Sequence, residues 1–229
     1  MEATPQRDPA ATDWAHNPVT GELAHVLSRP DGGTGRVEVE LWLQPGAAVA
    51  GAHVHPAIIE RFEVLEGSVA FLVGDRERPI GPGDGVAEVP PETVHDWWNA
   101  GDGIARVRVE VEAAPGAGAV TADRFVAMIE TLWSLGALGK VNRKGMPDPL
   151  WLAAIAREYR DVIRFVRPPE LVQALLFTPL AALAVRFRRD PLDPSLHGPA
   201  APLWIEDPGD RLPDLLARRV GAGAARGRI

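Results

Sequence analysis

Residues 36–43 alternate strictly, with Val37, Val39, Leu41 and Leu43 on one side and Arg36, Glu38, Glu40 and Trp42 on the other. A period of two is the signature of a strand with one buried face; at helical spacing these four apolar residues would scatter around the axis. Residues 106–112 repeat the pattern with Val107, Val109 and Val111 inward. If the two strands neighbour one another, Glu38 and Glu40 face Arg106 and Arg108 on the outer surface. Asp31-Gly32-Gly33, Gly74-Asp75, Gly81-Pro82-Gly83 and Ala100-Gly101-Asp102-Gly103 punctuate the runs. That is turn chemistry for a short-stranded antiparallel barrel. Residues 68–73 read as the second arm of a hairpin with the preceding strand, residues 58–65.

The period changes after Ala113. A small-residue linker, Ala114-Pro115-Gly116-Ala117-Gly118, precedes a helix capped by Thr121, striped by Phe125, Met128, Ile129 and Leu132, and ended by Gly139. A second helix is expected over residues 149–166, carrying Trp151, Ile155, Tyr159, Val162 and Val166 at helical spacing, and a third over 171–185 after Pro168-Pro169. The chain is thus mainly β and divides into an N-terminal segment (1–19), a barrel (20–113), a helical extension (121–190) and a loop-rich tail (191–229). The apolar run 171–185 is shorter than the roughly 20 residues a spanning helix requires and is interrupted by Pro179, so it reads as a buried or interface helix and not as a stable membrane insertion.

Charge is segregated. Residues 20–113 hold seven Arg against sixteen acids, a net of −9, whereas residues 121–191 hold eleven Lys plus Arg against seven acids, a net of +4. The asymmetry favours docking of the helices on their own barrel or on a partner's, and the apolar stripes point to a homodimer. Arg157, Arg160, Arg164 and Arg167 read as a solvated face in preference to an anion site. A total of −7 argues against nucleic acid as a partner. The chain has no Cys, which excludes disulfides, thiolate zinc and iron–sulfur centres. Residues 1–13 show no basic segment followed by an apolar run, and a cytoplasmic setting is expected.

Chemistry concentrates in four residues. In His53-Val54-His55 the two imidazoles share one face of a strand; Glu60 shares its face with Phe62 and Val64, and His95 adds a third imidazole from a distant run. Three imidazoles and a carboxylate can converge on one divalent metal. With no soft ligand the donor set suits iron, manganese, nickel, cobalt or zinc. Glu60 is either a permanent ligand or a catalytic base. His16, His25 and His197 have no comparable partners and read as ordinary polar residues.

These residues resemble the two motifs of the cupins. The first reads His53-Val-His55-Pro-Ala-Ile-Ile-Glu60 and then six residues to Gly67. The second runs from Gly83 to Asn99 and keeps Pro90, His95 and Asn99. Glu92 stands where the family usually has Gly, one extra residue separates Gly83 from Pro90, and Gly46 lies one residue further from His53 than the pattern asks. These departures touch turn geometry and leave the ligands intact. The resemblance covers residues 20–113, and Asn17 to Glu22 look like the opening turn of single-barrel bacterial members. It implies a jelly-roll barrel holding a metal at His53, His55, Glu60 and His95.

Cupins serve many reactions, so the chemistry follows less firmly than the fold. The inward apolar set, with Leu41, Phe62, Val64, Phe71 and Trp97 as candidate pocket walls, favours a small, partly apolar organic substrate. No phosphate-cradling loop, nucleophile elbow or nicotinamide fingerprint is present. The reading placed first is a metal-dependent oxidoreductase of the dioxygenase type. A redox-neutral isomerase, lyase or cyclase comes second, and a non-enzymatic metal- or ligand-binding module third.

Overall fold

The alternating runs form strands. The computed structural model describes residues 13–29, 35–48, 51–117, 120–167 and 169–217. The expected turn at Asp31-Gly32-Gly33, Gly118 of the linker, Pro168 and the chain's first twelve and last twelve residues lie outside them. The first half holds ten strands: β1 (Trp14–His16), β2 (Leu23–Ser28), β3 (Arg36–Leu43), β4 (His53–Val54), β5 (Ile58–Glu66), β6 (Val69–Val73), β7 (Arg76–Ile80), β8 (Val86–Val89), β9 (His95–Asn99) and β10 (Ala105–Ala113). The second half holds α1 (Val120–Ala137), α2 (Pro149–Glu158), β11 (Arg164–Phe165), α3 (Glu170–Arg186), β12 (Trp204–Ile205) and α4 (Leu212–Ala217). The strands pair antiparallel in two sheets, β12-β1-β2-β3-β10-β5-β8 and β11-β4-β9-β6-β7, which enclose the core of a jelly-roll barrel.

β3 and β10 are neighbours, with Arg108 opposite Glu40 and Arg106 opposite Trp42. On the outer face Arg106 and Arg108 both bind Glu40, at 2.5 and 2.9 Å, and Arg108 lies 3.5 Å from Glu38. Burial alone would raise the Glu40 carboxyl, and the two guanidinium groups more than reverse this, leaving it below its ordinary value.

The hairpin expected from residues 58–73 does not form. β5 pairs with β10 and β8, while β6 pairs with β7 and β9 in the other sheet. The chain changes sheet at Gly67, whose φ is +79° and where a Cβ would lie 2.8 Å from the Ile104 carbonyl oxygen. Only glycine fits so close a crossing.

The extension docks on its own barrel. Met128 and Leu135 of α1 share one core with Val37, Val109 and Val111, and Trp133 packs with Ala15, Ala24 and Leu203. α1 begins at Val120, so Thr121 lies in its first turn and does not precede it as a cap. Its end closes as expected, with Gly139 at φ +66° and Lys140 N–H donating to the Leu135 carbonyl. Asp148 caps α2 by accepting from Leu150 and Trp151 N–H.

The second helix is shorter than its apolar spacing suggested. It stops at Glu158, where Arg124 of α1 donates to the Glu158 carbonyl and pairs with Asp161 at 2.5 Å. The chain beyond turns and adds β11 to the edge of β4. The segment after Asp190, read as a loose tail, is tied down through residue 205: Leu196 and Leu203 are buried and β12 extends the larger sheet beside β1.

Asn17 to Glu22 turn the chain from β1 into β2, with the Asn17 side chain accepting from Val19 N–H. Glu22 is buried there with Thr20 Oγ1 donating to it at 2.9 Å; burial pushes its carboxyl up to about 7. Below the ordinary carboxyl value near 4.5 both folded and unfolded chains are protonated and nothing is lost. Between there and about 7 only the unfolded chain ionises, so stability declines as pH rises, and above 7 the loss is complete. Glu22→Gln should remove this decline. In urea denaturation the variant is expected to exceed the parent by about 1–3 kcal/mol at high pH and to converge with it in acid.

Candidate metal centre

The two sheets contribute unequally to the cluster. His53 lies on β4 opposite His95 of β9, and His55 follows β4 directly, so all three imidazoles come from the smaller sheet. Glu60 reaches them from β5 in the larger sheet, where it pairs with Val111 and Val89. All four residues are buried, and one ligand atom from each lies within 4.8 Å of every other. Nε2 of His53 and His55 are 3.1 Å apart, and Glu60 Oε2 is 2.8 Å from His95 Nε2 and 3.4 Å from His55 Nε2.

The outer ring nitrogens decide what this arrangement can hold. His53 Nδ1 faces the Gly51 carbonyl at 2.6 Å, His55 Nδ1 the Val162 carbonyl at 2.6 Å and His95 Nδ1 the Thr93 carbonyl at 2.9 Å. A carbonyl only accepts, so each neutral ring carries its proton on Nδ1 and turns a bare Nε2 lone pair inward. Four acceptors then face one another with no donor among them, and Glu60 Oε2 and His95 Nε2 have no partner of ordinary hydrogen-bond geometry. Such a cluster fits a cation: the group can hold a metal ion.

Titration follows the same geometry. Burial, reinforced by the neighbouring imidazoles, lowers His53 to about 3. Burial also lowers His55. Burial opposes ionisation of Glu60 too, yet the attraction of His55 and the His95 bond outweigh it and bring the carboxyl down to about 2. His95 is the exception: burial would lower it, but its contact with Glu60 raises it above the ordinary imidazole value. Contact with Glu60 thus favours a proton at His95 when no metal is bound.

A cavity of about 130 Å³ adjoins the cluster, walled on one side by barrel strands and on the other by the extension. His53, His55 and Glu60 form its polar end, and Leu41 and Trp97 are among its lining residues. Phe62, Val64 and Phe71 do not line it. They are buried in the barrel, Phe62 and Phe71 with ring centres 4.9 Å apart and both within 5.8 Å of Trp97, so the three aromatics fill the space behind the pocket wall. The walls not foreseen are Phe125, Val126, Met128, Ile129 and Trp133 of α1, with Ile163 and Leu203. Phe125 also meets the His55 ring edge-on at 5.7 Å. The signal available was the Phe125, Met128, Ile129 stripe, whose partner the sequence does not name. The other charged lining residues, Arg29 and Glu130, pair at 3.7 Å, with the Arg29 guanidinium 4.6 Å from the Trp204 ring centre.

Residues 39–112 match the family model of the cupin domain. No curated protein sequence matches the chain. Among solved structures, the cupin domain of an XRE family transcriptional regulator from Enterobacter cloacae is similar at 18% identity and TM-score 0.35, over 40% of this chain and 96% of that one. A sugar phosphate isomerase of the cupin superfamily from Silicibacter pomeroyi aligns at 24% identity and TM-score 0.39, over 48% and 77%. KdgF from Halomonas sp. aligns at 19% and 0.36, over 43% and 86%. Likeness at this level says nothing of activity.

Glu92 occupies the left-handed conformation that its position in the motif requires, with φ +57°. Its N–H donates to the His55 carbonyl at 2.9 Å, and its side chain accepts from Arg164 of β11 at 3.4 Å. A side chain in that conformation costs about 1 kcal/mol more than glycine, whereas a half-exposed ion pair returns less than about 1 kcal/mol. Glu92→Gly should therefore melt at the same or a slightly higher temperature in calorimetry, with unchanged metal affinity. A clear loss of stability would mean that the Arg164 contact outweighs the backbone cost.

Proposed function

From a chain that carries a cupin barrel around a buried three-histidine, one-carboxylate cluster, we propose a metal-dependent enzyme acting on a small, partly apolar organic molecule bound between the barrel and α1. His53, His55, Glu60 and His95 would hold one divalent transition ion of the iron, manganese, nickel, cobalt or zinc kind. The observation that carries this reading is the orientation of the rings: three Nδ1 atoms engage carbonyls, and every atom facing inward is an acceptor. Bound there, the ion would polarise substrate oxygens and prepare an electron-rich substrate for dioxygen, which is the chemistry placed first.

The chain's own residues set the rest. Glu60, whose carboxyl the neighbouring imidazoles hold below its ordinary value, would serve in this reading as a ligand. The walls are largely apolar, and Arg29, which also lines the cavity, is paired with Glu130, which favours an uncharged body over a sugar phosphate. Oxygen consumption by the iron-loaded protein over a panel of enols, catechols and β-diketones separates the first reading from its alternatives. Turnover without oxygen uptake would assign an isomerase, lyase or cyclase, and binding without turnover a non-enzymatic module. The homodimer expected from the sequence loses the support of the α1 stripe, which is covered within the chain.

Metal binding should be one-to-one and should expel the proton favoured at His95. Because His95 is raised, that proton persists to higher pH, and affinity should fall about tenfold per pH unit below the His95 value. His53, already lowered to about 3, adds nothing to the slope above that value. Titration with zinc against a competing chelator between pH 5 and pH 8 measures it, and His95→Ala should lose stoichiometric binding while remaining folded. Equal occupancy in His95→Ala and parent would remove the assignment.

The cavity makes a separate prediction. Ile129→Trp should fill the space beside the cluster, leave zinc affinity within about threefold of the parent and abolish the perturbation of a cobalt(II) spectrum by catechol. If the spectrum still responds fully, the substrate does not lie against α1.

A further inference from the structure

α3 is apolar on every side: only Glu170 and Arg186 among its 17 residues are charged. Its back packs into the extension through Ala181 and Ala184, while its front is open, with Leu171 at 73% exposure, Leu175 at 68% and Val185 at 73%. Leu176, Leu183 and Phe187, each about half exposed, lie further round the helix and widen the open apolar surface. A contiguous apolar face of this kind marks an interaction surface.

The charges around it say what kind. Between α2 and α3 lies a cavity of about 160 Å³ with a floor that includes Phe165 and Phe177 and a rim that carries Arg157, Arg160 and Arg164. Arg167 precedes α3, Arg186 and Arg188 end it, and all three are exposed. Arg188 takes the left-handed position after the helix, φ +53°, where glycine would be cheaper, so a cation stands at the apolar helix's end at some cost. A second copy related by a two-fold axis through α3 would bring two such positive regions together, each in the +4 extension. An anionic surface would instead meet the arginines and repel the barrel, net −9, to its far side. No helix among the described residues is long and apolar enough to cross a membrane.

We propose that this face docks on an anionic phospholipid surface, α3 lying in the headgroup plane with its leucines among the acyl chains and a lipid phosphate on Arg157 and Arg160. The docking does not depend on the chemistry of the metal centre. The test is co-sedimentation of the full chain with vesicles of phosphatidylcholine alone and of phosphatidylcholine mixed with phosphatidylglycerol. The chain should bind the mixed vesicles, not the neutral ones, and release as salt rises. Arg157→Ala with Arg160→Ala should lower the partition coefficient about thirtyfold. Leu171→Asp with Leu175→Asp should abolish binding, and Leu175→Gln alone should weaken it if the double variant does not fold. Absence of binding to the mixed vesicles, or equal binding to both kinds, overturns the proposal. A parent that sediments as a dimer, splits on Leu175→Gln and ignores vesicles also overturns it and assigns the face to a second copy.

Discussion

The Nδ1–H of His55 donates to the carbonyl of Val162, and this bond joins the histidine-bearing segment to the extension. β4 is two residues long and would be a bare edge if β11 did not pair with it, Phe165 opposite His53 and Arg164 opposite Val54. An edge that short holds its side chains poorly. Val166 N–H donates to the Ala52 carbonyl and Arg164 reaches Glu92, so one pass of chain braces three points around the cluster. The extension is therefore part of the device that fixes the orientation of the His55 ring.

That dependence explains what the sequence could and could not disclose. The cluster of His53, His55, Glu60 and His95 was legible because strand alternation and residue type act locally: His53 and His55 share a face whatever the rest of the chain does. The charge ladder of Glu40 with Arg106 and Arg108 was legible for the same reason. The end of α2 was not, because no glycine or proline marks it. It is set by Arg124 from another helix and by Tyr159, whose hydroxyl meets Thr131 Oγ1 at 3.2 Å and the Pro191 carbonyl at 3.3 Å. Val162 kept helical spacing from Tyr159 and is fully buried, but it lies in the turn leading to β11, so periodicity alone misassigned it.

The misread hairpin has a different cause. Strands adjacent in sequence usually pair, and Glu66-Gly67-Ser68 looks like a tight turn. The close approach of Gly67 to Ile104 and Ala105 is a contact with a strand nearly forty residues away, visible only once β10 is in place. It sends Phe71 into the second sheet, where it stacks with Trp97 and fills the barrel instead of lining the cavity. The same inward parity therefore yields two outcomes, and depth along the barrel axis, which alternation does not encode, decides between wall and core.

The cluster and the cavity together impose an energetic order on the fold. With its rings neutral the cluster packs four acceptor atoms into an apolar interior without a donor, a local cost that a proton on His95 relieves in part and that a cation would convert into a gain, and cation binding to the folded chain would stabilise it by mass action. The walls facing that cluster come from α1, whose residues belong to the same continuous core as β3 and β10. Opening the cavity would then mean moving α1 against its own core contacts, including the edge of Phe125 on the His55 ring. A small molecule too large for the space left between Leu41, Trp97 and Ile129 would have to draw on binding energy to displace the helix.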